Sequence, residues 1–266
     1  IITSLGNGMQ NYMNAQFDQL GANLIQVQIW GLGGGMSSRS VDPDDMYELV
    51  DKYPQYLAGV SPYVMVQQGL VRHGSDEYKR TSIYGVSEFF YDAQRNQVLS
   101  GSKLGEGRFL SYVDVERYQN VCVIGSYLAQ DAFGGNALGK SITINGTPFL
   151  VVGVYESKSA GVNVGSSEEN QWIQDTINRQ DYMLLLPSTM TRLFNNNQPI
   201  ENYIIKAKDA ESLKEVSTLV NGFLAGFISD DNGYYYIDNP TSYQNEQAEA
   251  DKLQQRFLGG IAAISL

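Results

Sequence analysis

The sequence has little of the side-chain chemistry that most catalytic and metal sites use. Its 266 residues include one cysteine, Cys122, and one histidine, His73. This excludes an internal disulfide and the Cys/His clusters that hold zinc. Cys122 lies in an apolar run, which predicts a buried small hydrophobe rather than a reactive thiol. His73 lies in a polar turn, and without a nucleophile motif elsewhere we interpret it as a solvated turn residue.

Basic residues and long apolar runs are also scarce. There are 18 Lys and Arg against 29 Asp and Glu, a net charge of −11 that repels phosphate and argues against a nucleic-acid partner. No stretch reaches the ~20 apolar residues of a membrane helix. The acidic groups at 42–45 and 230–231 lack the spacing of a calcium loop and are explained by helix capping and turns. We therefore predict no catalytic residue, no metal and no cofactor.

The two ends of the sequence carry apolar residues at helical spacing. Residues 3–21 have an apolar stripe, and residues 242–257 mix apolar and charged positions before a Gly/Ala-rich apolar tail. We expect two amphipathic helices that pair as a stalk, with packing on the domain core as the alternative. The apolar tail is either a frayed terminus or the first half of a membrane span. The candidate contacts between the two stalk helices are Met9, Met13, Phe17, Leu253 and Phe257.

Two similar units are predicted near the two ends of the body. The first has strands at 24–30 and 60–68 around a helix that begins at Asp42-Pro43. The second has strands at 203–207 and 234–237 around a helix capped by Asp209. Two β-α-β units in one sheet, with both helices on one face, predict an α+β, ferredoxin-like, porter-type fold.

The region between these units is predicted to be an insertion. We expect an N-terminal stalk helix at 1–22, a discontinuous porter-like subdomain at 23–83 and 191–240, an inserted mainly-β subdomain at 84–190, and a C-terminal stalk helix at 241–266. The segments 70–72 and 78–84 are expected to form a ribbon that joins the two subdomains.

The insertion contains the most informative stretch, residues 121–155. An apolar strand ending at Gly125 precedes a short amphipathic helix that ends at the glycines after Phe133. Two apolar runs follow, separated by Asn145-Gly146, which is the strongest short hairpin signal. The stretch therefore predicts strand, helix, strand, turn and strand, and a later strand is expected to end at Pro187.

The order of several motifs in this stretch resembles the extracytoplasmic domain of MacB-type ABC transporter permeases. Gly85-Val86, Gly107-Arg108-Phe109 and Leu185-Leu186-Pro187 fall where that family would place them. The motifs within the stretch are Val123-Ile124-Gly125, Ala129-Gln130-Asp131-Ala132-Phe133-Gly134-Gly135, Leu138-Gly139-Lys140, Ile142-Thr143-Ile144-Asn145-Gly146 and Phe149-Leu150-Val151-Val152-Gly153-Val154. The family-signature structural residues are Gly107, Gly125, Phe133, Gly134, Gly139, Gly146, Gly153 and Pro187.

The resemblance implies a non-catalytic domain on the extracytoplasmic side of the cell membrane that transmits ATP-driven motion outward. Its implied partners are a cytoplasmic ABC ATPase, a second permease copy and an adaptor protein. Its implied cargo is a peptide, an antibiotic or a lipoprotein. Three alternatives stay open: a carbohydrate- or peptide-binding module led by Tyr234-Tyr235-Tyr236, a secreted enzyme, and a sensing or regulatory ectodomain of the same superfamily.

Overall fold

The structure is a computed structural model that describes residues 23–30, 41–94, 103–157, 181–196, 198–209, 211–228 and 233–238. The two predicted stalk helices, with Met9, Met13, Phe17, Leu253 and Phe257, lie outside the described residues. Within the described ranges, none of the helices has both the length and the apolar character needed to cross a membrane.

Twelve strands and five α-helices make up the described part of the chain. The strands are β1 Leu24–Trp30, β2 Leu57–Met65, β3 Val71–His73, β4 Asp76–Glu77, β5 Ser82–Val86, β6 Leu104–Gly107, β7 Val121–Ile124, β8 Ser141–Ile144, β9 Thr147–Tyr155, β10 Met183–Pro187, β11 Asn202–Ala207 and β12 Tyr234–Asp238. The helices are α1 Pro43–Lys52, α2 Phe89–Gln94, α3 Tyr112–Glu116, α4 Ser126–Phe133 and α5 Leu213–Ala225, with a 3-10 helix at Ser188–Leu193.

All of these strands join one sheet, which has two halves. The strand order is β12-β1-β11-β2-β5-β10-β7-β9-β8-β3-β4, with β6 paired to β9. Strand β2 belongs to both halves, because it pairs with β11 up to Pro62 and with β5 from Tyr63 to Met65. We call β12, β1, β11 and β2 the first half and the remaining strands the second half.

The first half is ferredoxin-like, as the sequence predicted. Strand β1 alternates buried Ile25, Val27 and Ile29 with more exposed residues, so one of its faces meets the core. Helices α1 and α5 pack on that same face through Met46 and Val216, among other buried residues. Because β1 and β2 are both antiparallel to β11, the two β-α-β units interlock in one sheet. The α+β, porter-type fold class is thereby confirmed.

Helix α1 begins as the sequence predicted, whereas α5 does not. Asp42 precedes α1, with its backbone N–H donating to the Asp45 carboxylate at 3.0 Å and proline following it. Asp209, predicted as the N-cap of α5, lies one turn earlier. Its carboxylate accepts 2.7 Å hydrogen bonds from the N–H and hydroxyl of Ser212, so it closes the turn that leads into the helix.

Two further expectations about strands were wrong. Strand β2 starts and ends three residues before the predicted 60–68, because the chain around Leu57 pairs with Ala207 of β11. The expected ribbon of 70–72 and 78–84 does not form. Strand β3 pairs with β8 at the far end of the sheet, while β5 lies near its centre between β2 and β10.

The second half has a core on each face of its sheet. On one face α4 packs its buried Leu128 against apolar residues of β7, β9 and β10. On the other face α2 and the Phe109-Leu110 segment cover Val123 and Leu185. The sequence range 23–83 contains β3 and β4, which pair within this half, so the subdomain boundaries stay a prediction.

Removing a buried side chain of α5 should destabilise the protein. Leu224 is 0% exposed in the first core, and Leu224→Ala should lower the free energy of unfolding by about 2–5 kcal/mol, because it leaves a cavity. Leu219, half-buried in the same helix, is the matched control, and Leu219→Ala should cost less than half as much. Urea unfolding followed by circular dichroism measures both. Equal losses would contradict the inward orientation of Leu224.

Candidate functional site

The signature stretch folds as the sequence predicted. Strand β7 leads into α4, which ends at Gly134 in the left-handed conformation, with φ 62°. The β8–β9 hairpin turns through Asn145 and Gly146, whose φ angles of 49° and 86° are those of the two-residue turn that the Asn-Gly pair favours. This turn lets the two strands twist without splaying apart.

The tip of this hairpin is fastened to the segment that follows β2. The Leu70 N–H donates to the side-chain oxygen of Asn145 at 2.7 Å, and the Asn145 amide donates to the Gln68 carbonyl at 2.9 Å. The Asn145 N–H also donates to the Leu70 carbonyl at 3.0 Å. Asn145 therefore fixes both the turn and a contact about seventy residues away in sequence. Sequence reasoning missed the second role, since no local pattern marks it.

Two signature glycines stand where β6 meets β9. Gly107 and Gly153 are opposite each other in the register. A Cβ on Gly107 would lie 2.2 Å from the Val152 carbonyl oxygen, and one on Gly153 would lie 2.2 Å from the Arg108 carbonyl oxygen. Gly107 also has φ 76°, a conformation that side chains with a Cβ rarely adopt. Only glycine lets the two backbones approach this closely.

An ion pair between the half-exposed Arg108 and the buried carboxylate of Asp114 follows directly on Gly107. Arg108 donates to both carboxylate oxygens of Asp114, at 2.5 and 3.1 Å, and the N–H and hydroxyl of Ser111 donate to the same carboxylate at 2.8 and 2.7 Å. Ser111 in turn accepts from the Asp114 N–H, which completes the N-terminal cap of α3. The Asp114 residue is 5% exposed.

The hydrogen bonds to Asp114 determine its charge state. Burial raises the pKa of this carboxyl, but the hydrogen bonds from Arg108 and Ser111 outweigh burial and hold its pKa below the ordinary aspartate value. The sequence motif included Arg108 without assigning it a partner. The Ser-x-x-Asp spacing was the signal that could have identified the cap.

The remaining signature residues lie around α4 and at the centre of the sheet. Gly125 precedes α4, and its N–H donates to the Met183 carbonyl at 2.8 Å. Gly139, with φ 74°, donates its N–H to the Val151 carbonyl at 2.8 Å. Pro187 is the last residue of β10 and pairs with Val86 of β5. These contacts are structural, and the functional roles of the signature residues remain predictions.

His73 is placed differently from the expectation. It ends β3, and the turn itself is formed by the next two residues. Its ring lies 4.3 Å from the ring of Phe133, centroid to centroid, and its Nδ1 is 3.2 Å from the Ser141 carbonyl oxygen. His73 therefore flanks the turn and is half-buried beside Phe133 at the end of α4 rather than fully solvated.

Cys122 is fully buried, as predicted, and burial raises the pKa of its thiol. Among the described ranges, no three His, Cys, Asp or Glu side chains are grouped to hold a metal ion.

The tyrosine row considered as a binding lead lies on the edge strand β12. Tyr235 packs toward the first core and donates a 2.9 Å hydrogen bond to the side chain of Asn221. Tyr234 and Tyr236 are 67% and 47% exposed, and Tyr234 pairs with Trp30, which is 45% exposed. The row therefore divides between core packing and an exposed edge.

The domain has a ferredoxin-like half and a second half that carries the signature, and one sheet joins them. This arrangement defines a porter-like α+β domain. The chain belongs to the family of MacB-like periplasmic core domains, whose family model matches residues 1–222. The resemblance noted in the sequence is thereby confirmed.

Relatives of this chain include export permeases. The chain is 27% identical to the macrolide export ATP-binding/permease protein MacB of Hyphomonas neptunium over 99% of the chain and 38% of the relative. It is 26% identical to the pyoverdine export ATP-binding/permease protein PvdT of Pseudomonas aeruginosa over 100% of the chain and 37% of that protein. The chain thus spans well under half the length of these relatives.

Solved structures share the fold. The periplasmic region of MacB from Actinobacillus actinomycetemcomitans aligns with a TM-score of 0.64 at 19% identity, covering 89% of this chain and 98% of that one. The extracellular domain of the ABC-type transporter YknZ from Gram-positive bacteria aligns with a TM-score of 0.56 at 16% identity, over 82% of this chain and 100% of that one.

Substituting two of the signature glycines that have positive φ, Gly139 and Gly107, distinguishes the cost of backbone strain from the cost of a steric clash. Gly139→Ala meets nothing within 4 Å and should cost about 1–2 kcal/mol, the penalty of a left-handed residue with a Cβ. Gly107→Ala adds a clash with the Val152 carbonyl and should cost about 4 kcal/mol or more. Urea unfolding measures both variants. Similar losses would show that β6 and β9 do not approach as described.

The Arg108–Asp114 pair should make stability depend on pH. The folded pKa of Asp114 is depressed, so its stabilisation is present above the unfolded pKa of about 3.9 and is lost as the pH falls through the lower folded value. Asp114→Asn should lower the free energy of unfolding by about 1–2 kcal/mol at pH 7 and by less at pH 3. The figure for pH 7 is kept small because solvent screens the half-exposed Arg108.

The control for this pH dependence is Asp51→Asn, at an exposed position of α1. It should change the free energy of unfolding by less than about 0.5 kcal/mol at either pH. A loss for Asp114→Asn that is as large at pH 3 as at pH 7 would contradict a role for the ionised carboxylate.

Proposed function

We propose that the chain is the non-catalytic extracytoplasmic domain of an ABC transporter permease in the cell membrane. It couples ATP-driven motion of the membrane and ATPase parts to the export or extraction of a substrate outside the membrane. The expected substrates are a peptide, an antibiotic or a lipoprotein. The expected partners are a cytoplasmic ABC ATPase, as a subunit or a fused domain, and a second permease copy, with an adaptor protein as a further partner.

One observation carries this proposal: the polypeptide enters and leaves the described body at one corner. Strand β1 begins at Leu24 and β12 ends at Asp238, and the two strands are antiparallel neighbours in which Asp238 pairs with Gln26. Neighbouring strands lie about 5 Å apart. Residues 1–22 and 239–266 therefore start from adjacent points, which supports the proposal that they form a paired stalk.

The sheet supports transmission of motion from that corner. A displacement applied through the stalk would act on β1 and β12, and β1 is hydrogen-bonded to β11, which is hydrogen-bonded to β2. Strand β2 continues into the second half through β5. Because backbone pairing is continuous, the two halves would move as coupled parts of one sheet.

Cross-linking in the complete transporter tests the coupling. Cysteines replace Met13 and Leu253, one on each predicted stalk helix. We expect their cross-linking yield to change with ATP and export to fall when they are locked together. The matched control pair is Asn11→Cys with Gln255→Cys, on the polar sides of the same predicted helices. The native Cys122 is buried and should not interfere.

Two outcomes would contradict the proposal. The first is a Met13→Cys/Leu253→Cys transporter that is fully locked and still exports at the rate of the unlocked protein. The second is a cross-linking yield that is the same for the control pair and for the test pair, with and without ATP. Either result would remove the paired stalk as the route of motion.

A further inference from the structure

The sheet forks where its two halves meet. Strand β2 is paired to β11 as far as Pro62, opposite Tyr203. From Tyr63 to Met65 the partner is β5, while the chain leading into β11 stays with β1 through a 2.7 Å hydrogen bond from the Ile29 N–H to the Glu201 carbonyl. The two backbones therefore diverge and leave a cleft between the halves.

The turn after the 3-10 helix forms one wall of this cleft. The Asn195 side-chain amide donates to the Met65 carbonyl at 3.1 Å, on the last residue of β2. Asn196 follows with φ 50°, and the Gln198 N–H donates back to the Asn195 carbonyl at 3.0 Å. The cleft has a volume of about 390 Å³, within the range of about 300–1,000 Å³ that is usual for ligand pockets.

Amide side chains dominate the lining. Among the described residues, six amide side chains line the cleft: Gln67, Gln68, Asn195, Asn196, Gln198 and Asn202. Each amide both donates and accepts hydrogen bonds, which matches the alternating N–H and C=O groups of a polypeptide backbone. Met65, which is 53% exposed and lines the cleft, offers an adaptable apolar contact for a ligand side chain.

The charge of the lining selects among ligands. Of the described residues that form the cleft, Glu201 is the one with a charged side chain, and none is basic. A carboxylate in a lining that has no described basic residue disfavours anionic ligands and favours a cationic group, in line with the net charge of −11. Nucleotides, phosphates and acidic peptides therefore do not fit.

The aromatic rings favour a peptide over a sugar. Sugar recognition commonly uses an open aromatic face, but Tyr63 already stacks on Tyr84 at 4.7 Å and on Phe90 at 5.6 Å, centroid to centroid. Phe194 lies 6.1 Å from the ring of Phe149. Both rings at the cleft are therefore engaged within the protein.

We propose that the fork cleft binds an extended polypeptide segment that is neutral or positively charged. An extended segment would place its backbone along the amides and alternate side chains toward Met65 and Glu201. This proposal does not depend on the transport function. Absence of peptide binding would leave the proposed transmission of motion untouched, and failure of the stalk cross-linking would leave the cleft proposal untouched.

Binding of the 266-residue chain to positional-scanning hexapeptide arrays is the first test. We expect binding to peptides with Lys or Arg and apolar residues, and weaker binding to their Asp and Glu counterparts. Peptides capped at both ends imitate an internal segment of a partner protein, and peptides with free termini imitate a short secreted peptide. The set that binds more tightly shows whether the natural ligand is a segment of a partner protein or a short secreted peptide. No binding to either set would overturn the proposal.

Variants then locate the binding in the cleft. Fluorescence anisotropy with the tightest array peptide should show a loss of about tenfold for Gln67→Ala/Gln198→Ala, since two hydrogen-bonding amides are removed. The control Gln119→Ala/Asn120→Ala removes two exposed amides outside the cleft and should bind as the native chain does. Glu201→Gln should weaken only peptides that contain Lys or Arg.

Three results would refute the cleft as a peptide site. They are unchanged affinity in Gln67→Ala/Gln198→Ala, an equal loss in the control variant, and tighter competition by cellohexaose or chitohexaose than by unlabelled peptide. Circular dichroism spectra and urea midpoints equal to those of the native chain establish that each variant is folded. The peptide result then reports on the cleft rather than on stability.

Discussion

The change of partner along β2 is the constraint on which the rest of the structure depends. One strand of nine residues pairs first with β11 and then with β5, so it is the only strand shared by the two halves in the described part of the chain. The pairing makes the two halves continuous, and the divergence at Tyr63 opens the cleft between them. The connection between the halves and the proposed peptide site thus have the same geometric origin.

Local sequence patterns predicted the elements whose structure depends on interactions between residues close in sequence. The amphipathic helix at 126–133, the Asn-Gly turn and the proline-led start of α1 each depend on residues within a few positions of one another. The ferredoxin-like arrangement was also predictable, because both β-α-β units carry their own periodicity. The family resemblance rested on the order of motifs between Gly85 and Pro187 and spanned most of the chain.

Contacts between distant residues were not predictable. The shift of β2 by three residues follows from the pairing of Leu57 with Ala207 of β11, which lies 150 residues further along the chain. Pairing between distant segments also places Phe133 beside His73 and binds Asn145 to the segment after β2. It likewise brings the six described amides to one cleft. A single sequence contains no periodicity that marks such pairs.

The interleaved order of the strands also governs how the protein is made. The ferredoxin-like half takes β1 and β2 from the start of the body and β11 and β12 from its end, with the second half between them. During synthesis the second half can assemble its parallel and antiparallel pairs while β1 still lacks both of its neighbours. Both edges of β1 therefore stay unpaired until nearly the whole domain has been translated, and during that time they must not pair with another chain.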